Sequence, residues 1–187
     1  MFYIGGISPM YYLNNKENNM RRAVAALSMS VMIWNFGISV AALSVPDGNT
    51  AFKSYMSYTA ITDRESEQWR LQQNAVTDEN GLRMVDGRYM VAVGSYYSNT
   101  IGEKIEIELE GGCRIPAIVG DLKADVHTDE NNQYRTVYDS NGNFISKNVV
   151  EFIVDTNTLD KKAKNWGDIS AIEGFEGNVV GIYKIDE

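Results

Sequence analysis

The sequence predicts a mainly β protein with one or two short helices, preceded by a hydrophobic N-terminal helix. Three observations predict this class. The composition is that of an ordinary globular protein, with 44% hydrophobic and 22% charged residues among 187. β-like runs recur at short intervals from about residue 89 onward, and residues 23–45 carry no charge. Six short strands at such spacing favour a barrel or a sandwich.

The uncharged run at residues 23–45, AVAALSMSVMIWNFGISVAALSV, follows a basic pair and has the length of a membrane-spanning segment. We therefore assign residues 1–44 to a signal peptide cleaved after Ser44, or to an uncleaved signal anchor. Because Met20 would open such a signal, residues 1–19 are predicted to be an upstream extension of it. A buried core helix is the alternative. Either export assignment places the remaining chain outside the cytoplasmic membrane, with membrane contact only through residues 23–45.

Residues 45–87 are predicted to contain a linker, a first strand and a helix that packs on the main domain. A Pro-Asp-Gly turn opens the segment. Residues 52–61 alternate aromatic and β-branched side chains well enough for a strand. Thr62 or Asp63 is the predicted N-cap of a helix over residues 66–75, SEQWRLQQNA.

The main β domain is predicted over residues 88–187. Its strands are expected at residues 89–97, 103–109, 113–120, 133–138, 148–155 and 178–185. The run KIEIEL at residues 104–109 alternates strictly, so its apolar side chains share one face and its charged ones the other. A short helix over residues 159–166 should end at Gly167. The predicted core comprises Val91, Val93, Ile105, Ile107, Leu109, Ile118, Phe152, Val154, Val179 and Ile182.

Charge and cysteine content exclude several classes of function. Lys and Arg number 17 against 25 Asp and Glu, a formal charge of -8, so a broad electrostatic contact with nucleic acid is not expected. The single cysteine, Cys113, excludes an internal disulfide, and with one histidine it excludes a Cys/His zinc cluster. An exported monomer without disulfides is typical of a Gram-positive cell surface. Its chemistry must use mainly carboxylates, hydroxyls and amides.

The densest group of ionisable side chains lies in VGDLKADVHTD, residues 119–129. If the preceding strand continues through this run, Asp121, Asp125, His127 and Asp129 all project from one face. The alternatives are a solvated acidic face and a site for a hard cation such as calcium. No other cofactor or metal is predicted.

A second acidic pair, Glu151 and Asp155, lies four residues apart on VVEFIVDT and is predicted to share a strand face. If this strand neighbours the first acidic run, five carboxylates and an imidazole line one groove. Repulsion among them would raise at least one carboxyl pKa into the range useful to a general acid.

Four stretches together resemble the three-aspartate (3D) domain: YMVAVGSYYSNTIGEKIEIELEGG, AIVGDLKAD, VEFIVDTNTLDKKAKNWGD and NVVGIYKI, within residues 88–185. That domain is similar to the double-psi β-barrel of the membrane-bound lytic transglycosylase A family, which cleaves peptidoglycan glycan strands with one aspartate as acid and base. The resemblance implies a six-stranded double-psi β-barrel-like domain. It also implies that Asp121 is the first aspartate and that Glu151 or Asp155 is the catalytic carboxyl.

The resemblance further implies an exported cell-wall enzyme of the lytic transglycosylase type, whose partner is peptidoglycan or another wall polymer. Its carboxyl would protonate the glycosidic oxygen and then, as carboxylate, remove a proton from the sugar's own hydroxyl. Candidate substrate-binding residues are Asp125, His127, Asp129, Tyr96 and Tyr97. After Asp121, however, Leu-Lys-Ala replaces the family's Thr-Gly-Gly. A non-catalytic surface or prophage-borne module that binds through an acidic groove is therefore the alternative.

Overall fold

The computed structural model describes residues 42–185. Most of the predicted signal peptide or anchor, residues 1–41, lies outside the described residues. Within the described range, no helix is long and apolar enough to cross a membrane.

The described chain is mainly β, as predicted. Its ten strands are β1 (Ser54–Ser57), β2 (Val76–Thr77), β3 (Arg83–Val85), β4 (Arg88–Val93), β5 (Lys104–Leu109), β6 (Arg114–Leu122), β7 (Arg135–Tyr138), β8 (Phe144–Asn148), β9 (Glu151–Val154) and β10 (Val179–Lys184). The α-helices in this range are α1 (Glu67–Gln73) and α2 (Lys161–Trp166). Three 3₁₀ turns occupy Tyr58–Ala60, Asp125–His127 and Ile169–Ala171.

Both predicted helices are present, and their ends follow from local hydrogen bonds. The N-cap of α1 is Ser66, whose hydroxyl accepts the N–H of Trp69 at 3.1 Å. The predicted N-cap at Thr62 or Asp63 is wrong, because the Ser66 N–H bonds to the Asp63 carbonyl and closes a turn before the helix starts. Helix α2 ends, as predicted, at Gly167 in the left-handed conformation, with φ of 68°.

The main sheet is mixed and does not close into the predicted barrel. Strand order along its path is β1-β9-β4-β6-β5-β10, while β2 and β3 extend from β4. Pairs β1–β9 and β4–β6 are parallel. Strands β1 and β10 do not pair, because the chain before β1 lies against β10 instead. There the Leu43 N–H donates to the Ile182 carbonyl at 2.8 Å and the Thr50 hydroxyl to the Val179 carbonyl at 2.8 Å. These contacts cover part of the free edge of β10, which closure of the sheet into a barrel would have covered completely.

Two apolar clusters lie on opposite faces of this sheet. The larger cluster includes Val91, Val93, Phe152 and Val154 of the central strands. The smaller cluster includes Met90, Ile118 and Ile153, which lie beneath Trp69 of α1. All ten predicted core residues are buried. In β5, buried and half-buried residues alternate as the KIEIEL pattern predicts.

Leu43 and Ser44, at the predicted cleavage site, belong to the folded domain. Leu43 forms an antiparallel bridge with Ile182 and packs against the larger core. The Ser44 carbonyl accepts the hydroxyl of buried Tyr97 at 3.3 Å and the side-chain amide of Gln133 at 3.3 Å. Cleavage after Ser44 would therefore remove contacts that the domain makes.

Candidate functional site

Asp121 and Glu151 lie on one face of the sheet in a single row across its central strands. Ala92 of β4 is the register partner of both, Asp121 on β6 and Glu151 on β9. Directly paired residues project to the same face. With neighbouring strands roughly 4.8 Å apart, the two backbones are about 10 Å apart. The condition that the two acidic strands be neighbours is not met, because β4 separates them, but the two carboxylates do share a face.

A β-bulge places Asp121 on this face. The β4–β6 register passes from Val91–Val119 to Ala92–Asp121 and skips Gly120. Without the skipped residue, Asp121 would share the face of Val119 and point at the larger core. A larger residue at position 120 would crowd the smaller core, because its Cβ would lie 2.8 Å from Ile153 Cδ1 and 2.9 Å from Met90 Cε, and these side-chain ends would have to shift.

Glu151 is held by a hydrogen-bonded chain of polar side chains. The Ser54 hydroxyl, its register partner on β1, donates to Glu151 Oε1 at 2.9 Å. Ser54 in turn accepts the side-chain amide of Asn148 at 2.6 Å. The backbone carbonyl of Asn148 accepts the Lys123 ammonium at 2.7 Å. The carboxyl of Glu151 is thereby fixed in orientation beside a cationic group.

Lys123 has an altered pKa. Burial is the main cause and lowers the pKa of its ammonium to about 8. The negative charge of Glu151 raises this pKa and the positive charge of Arg135 lowers it, but both effects are smaller than that of burial. Lys123 thus gains and loses its proton near pH 8. Lys123 lies two residues after Asp121, where β6 has ended.

Asp121 contacts helix α1 at the other end of the row. Its Oδ1 accepts the N–H of Leu122 at 2.9 Å and the side-chain amide of Gln68 at 3.4 Å. Both Asp121 and Glu151 are half-buried. The row therefore presents two oriented carboxylates and a hydroxyl, and the charge of the Lys123 ammonium interacts with that of Glu151.

The other predicted acidic residues are not part of this row. Strand β6 ends at Leu122, so the expected extension that would align Asp125, His127 and Asp129 is wrong; Asp125 and His127 lie in a 3₁₀ turn and are exposed. The Asp125 carboxylate accepts the Ser95 hydroxyl at 2.7 Å.

Asp129 and Asp155 each organise a loop. Burial would raise the pKa of Asp129, but backbone N–H groups of Tyr134, Gln133 and Asn131 bond to its carboxylate and hold the pKa below its usual value. Asp155 follows the end of β9, and its carboxylate accepts the N–H of Asn157 at 3.0 Å. The predicted strand face shared by Glu151 and Asp155 is therefore not formed, because β9 ends at Val154.

The two tyrosines proposed to bind substrate differ in accessibility. Tyr97 is fully buried in the larger core, and burial raises the pKa of its hydroxyl. Tyr96 is 42% exposed, packs edge-on against Tyr97 and hydrogen-bonds with Ser44. Only Tyr96 offers a ring face to a ligand.

Among residues 42–185, no group of three or more Asp, Glu, His or Cys side chains is placed to hold a metal ion. The acidic run at residues 121–129 does not converge on one point, since its members occupy a strand, a 3₁₀ turn and a loop.

Comparison with known proteins gives no further assignment: no family model, no curated protein and no solved structure matches this chain.

Sequence reasoning missed Lys123, Ser54, Asn148 and Gln68 as members of the site. The sequence does contain one signal for Lys123. It directly follows an apolar strand, and a lysine in that position is poorly placed for full solvation. Ser54 and Asn148 carry no local signal, because they reach Glu151 only through the pairing of β1 with β9.

We expect Lys123 to titrate near pH 8 and its pKa to fall further in Glu151→Gln. The substitution removes the negative charge that favours the ammonium, while burial remains. A pH titration of the lysine side-chain resonances by NMR measures both values. Asp155→Asn is the matched control and should leave the Lys123 pKa unchanged. A titration near the ordinary value of 10.5, or no shift in Glu151→Gln, would contradict the assignment.

Proposed function

We propose that this chain is an exported cell-wall enzyme that cleaves peptidoglycan glycan strands through one carboxyl acting as acid and base. The observation that carries the proposal is the row in which Asp121 and Glu151 flank Ala92 on one sheet face. The resemblance to the three-aspartate domain assigns carboxylates to these two segments.

The surroundings of Glu151 favour it over Asp155 as the reacting carboxyl. Glu151 shares a face with Asp121 and is oriented by Ser54, whereas Asp155 lies beyond the strand and caps a turn. In the proposed reaction Glu151 protonates the glycosidic oxygen and, as carboxylate, then accepts a proton from a hydroxyl of the same sugar, which closes an anhydro ring. Asp121 would orient the sugar through its second oxygen.

Export rests on the uncharged run and the basic residues before it. The contacts of Leu43 and Ser44 with the domain favour an uncleaved anchor over cleavage after Ser44. Residues 23–41, about 19 residues, still have the length needed to span a bilayer. Recovery of the full-length chain from the cytosol on cell fractionation would contradict export, and intact-mass analysis would detect cleavage after Ser44.

The enzyme proposal is tested by incubating the chain with purified peptidoglycan and analysing soluble products by mass spectrometry. A fragment for this assay should begin no later than Ala42, so that Leu43 and Ser44 are kept. Anhydro-muramyl products are expected. A wild-type protein that cleaves no glycan but binds a wall polymer saturably would instead support the non-catalytic binding module.

A further inference from the structure

A groove outside the acidic row contains an unsatisfied polar group of its own. It lies between the 3₁₀ turn Tyr58–Ala60, helix α1 and strand β3, and has a volume of about 630 Å³. Its principal lining side chains are Tyr58, Ile61, Arg64, Trp69, Gln72 and Arg83. Neither Asp121 nor Glu151 lines it.

The side-chain amide of Gln72 has a buried donor without an acceptor. Gln72 is only 5% exposed, and within residues 42–185 its Nε2 bonds to nothing. The orientation of the amide is fixed, because Oε1 accepts the Arg83 Nε–H at 3.4 Å and arginine has donors only. A buried donor without a partner is unfavourable, so an acceptor supplied by a ligand would relieve a cost that the free protein carries.

The groove is cationic in a chain of net charge -8. The Arg64 guanidinium lies over the Trp69 ring at 5.5 Å and the Arg83 guanidinium over the Tyr58 ring at 4.7 Å. Among residues 42–185 neither arginine forms an ion pair, and no carboxylate lines the groove.

Arg83 retains capacity to bind a ligand. It uses three of its five N–H groups on protein partners, namely Gln72 Oε1, the Gln72 carbonyl and the Thr77 hydroxyl. The remaining two N–H groups belong to different terminal nitrogens, the arrangement that suits the two oxygens of a carboxylate.

We propose that this groove binds a small organic carboxylate that also carries a carbonyl acceptor and a planar apolar group. Its carboxylate is held by Arg64 and Arg83, its carbonyl oxygen accepts the Gln72 Nε2–H, and its planar group packs on Trp69 and Ile61. This assignment does not depend on the proposed glycan cleavage, since it uses none of the same residues.

The test uses the full-length chain and N-benzoylglycine, which has a carboxylate, an amide carbonyl and an aromatic ring. N-benzoylglycinamide is the neutral analogue, and inorganic phosphate is the simple anion. Calorimetry gives affinities, and the indole N–H resonance of Trp69 reports the location, with exposed Trp166 as reference. We expect N-benzoylglycine to bind saturably and to shift the indole resonance of Trp69 but not that of Trp166. N-benzoylglycinamide and phosphate should bind at least about tenfold more weakly.

Variants separate the groove from a general surface effect. Arg64→Gln should weaken binding by about tenfold or more, and its only described contact is with the Trp69 ring, so the fold should be retained. Gln72→Leu should also weaken it. Arg70→Gln is the matched control, because Arg70 lies nearby in helix α1 but pairs with exposed Glu65 and does not line the groove. Absence of binding, equal binding by Arg64→Gln, or equal binding of the amide or of phosphate would overturn the proposal.

Discussion

Glu151→Gln is expected to reduce glycan-strand cleavage at least about a hundredfold while the domain remains folded. Glutamine keeps the shape of glutamate and can still accept the Ser54 hydroxyl, so the bonded chain through Ser54 and Asn148 survives. It cannot donate and then recover a proton, which the proposed reaction requires of this group. Release of anhydro-muramyl products by purified wild-type and variant protein, compared at equal concentration, measures the loss.

Asp155→Asn is the matched control for this prediction. It makes the same carboxyl-to-amide change on the same segment, and asparagine can still cap the turn by accepting the Asn157 N–H. Its activity should stay within a few-fold of wild type. Asp121→Asn should also lower activity, because Asp121 faces the same surface as Glu151. Full activity in both Glu151→Gln and Asp121→Asn would exclude the carboxylate mechanism.

The periodic part of the fold could be predicted from the sequence alone. Strict alternation in KIEIEL is a local signal, and β5 coincides with that run and has the predicted buried face. Runs such as RYMVAV in β4 are apolar on both sides because the strand is central and covered on both faces. Whether the sheet closes is not a local property. It depends on which segment reaches the edge of β10, and here Leu43 and Thr50 do so.

The candidate site could be predicted only in part, for a related reason. Strand periodicity puts Asp121 on the side of Val119, and the bulge at Gly120 reverses that side. A bulge depends on the partner strand, so period-two reasoning cannot detect it. The same reasoning extended β6 through Asp125, His127 and Asp129, although the chain turns after Leu122 once it leaves its partners β4 and β5.

Phe152→Ala is expected to cause the largest loss of stability among core substitutions, about 3–5 kcal/mol in the free energy of unfolding. Phe152 is fully buried in β9, between β1 and β4. Its ring packs edge-on against Phe175 at 5.4 Å and Tyr89 at 6.3 Å between centroids. Truncation removes those contacts and leaves a cavity that the central strand cannot close by moving. A domain of this size has a stability of about 5–15 kcal/mol, so much of it would be lost.

Phe144→Ala supplies the comparison that tests this explanation. It deletes the same atoms from β8, where Phe144 is 51% exposed at the separate two-stranded sheet, and should cost only about half a kcal/mol. Urea unfolding of both variants, followed by far-UV circular dichroism, gives the two free energies and shows whether the slope with denaturant is unchanged. Because β9 also carries Glu151, a partly unfolded Phe152→Ala would lose activity through loss of the strand itself. Equal losses of stability in the two variants would contradict the placement of Phe152 at the centre of the larger core.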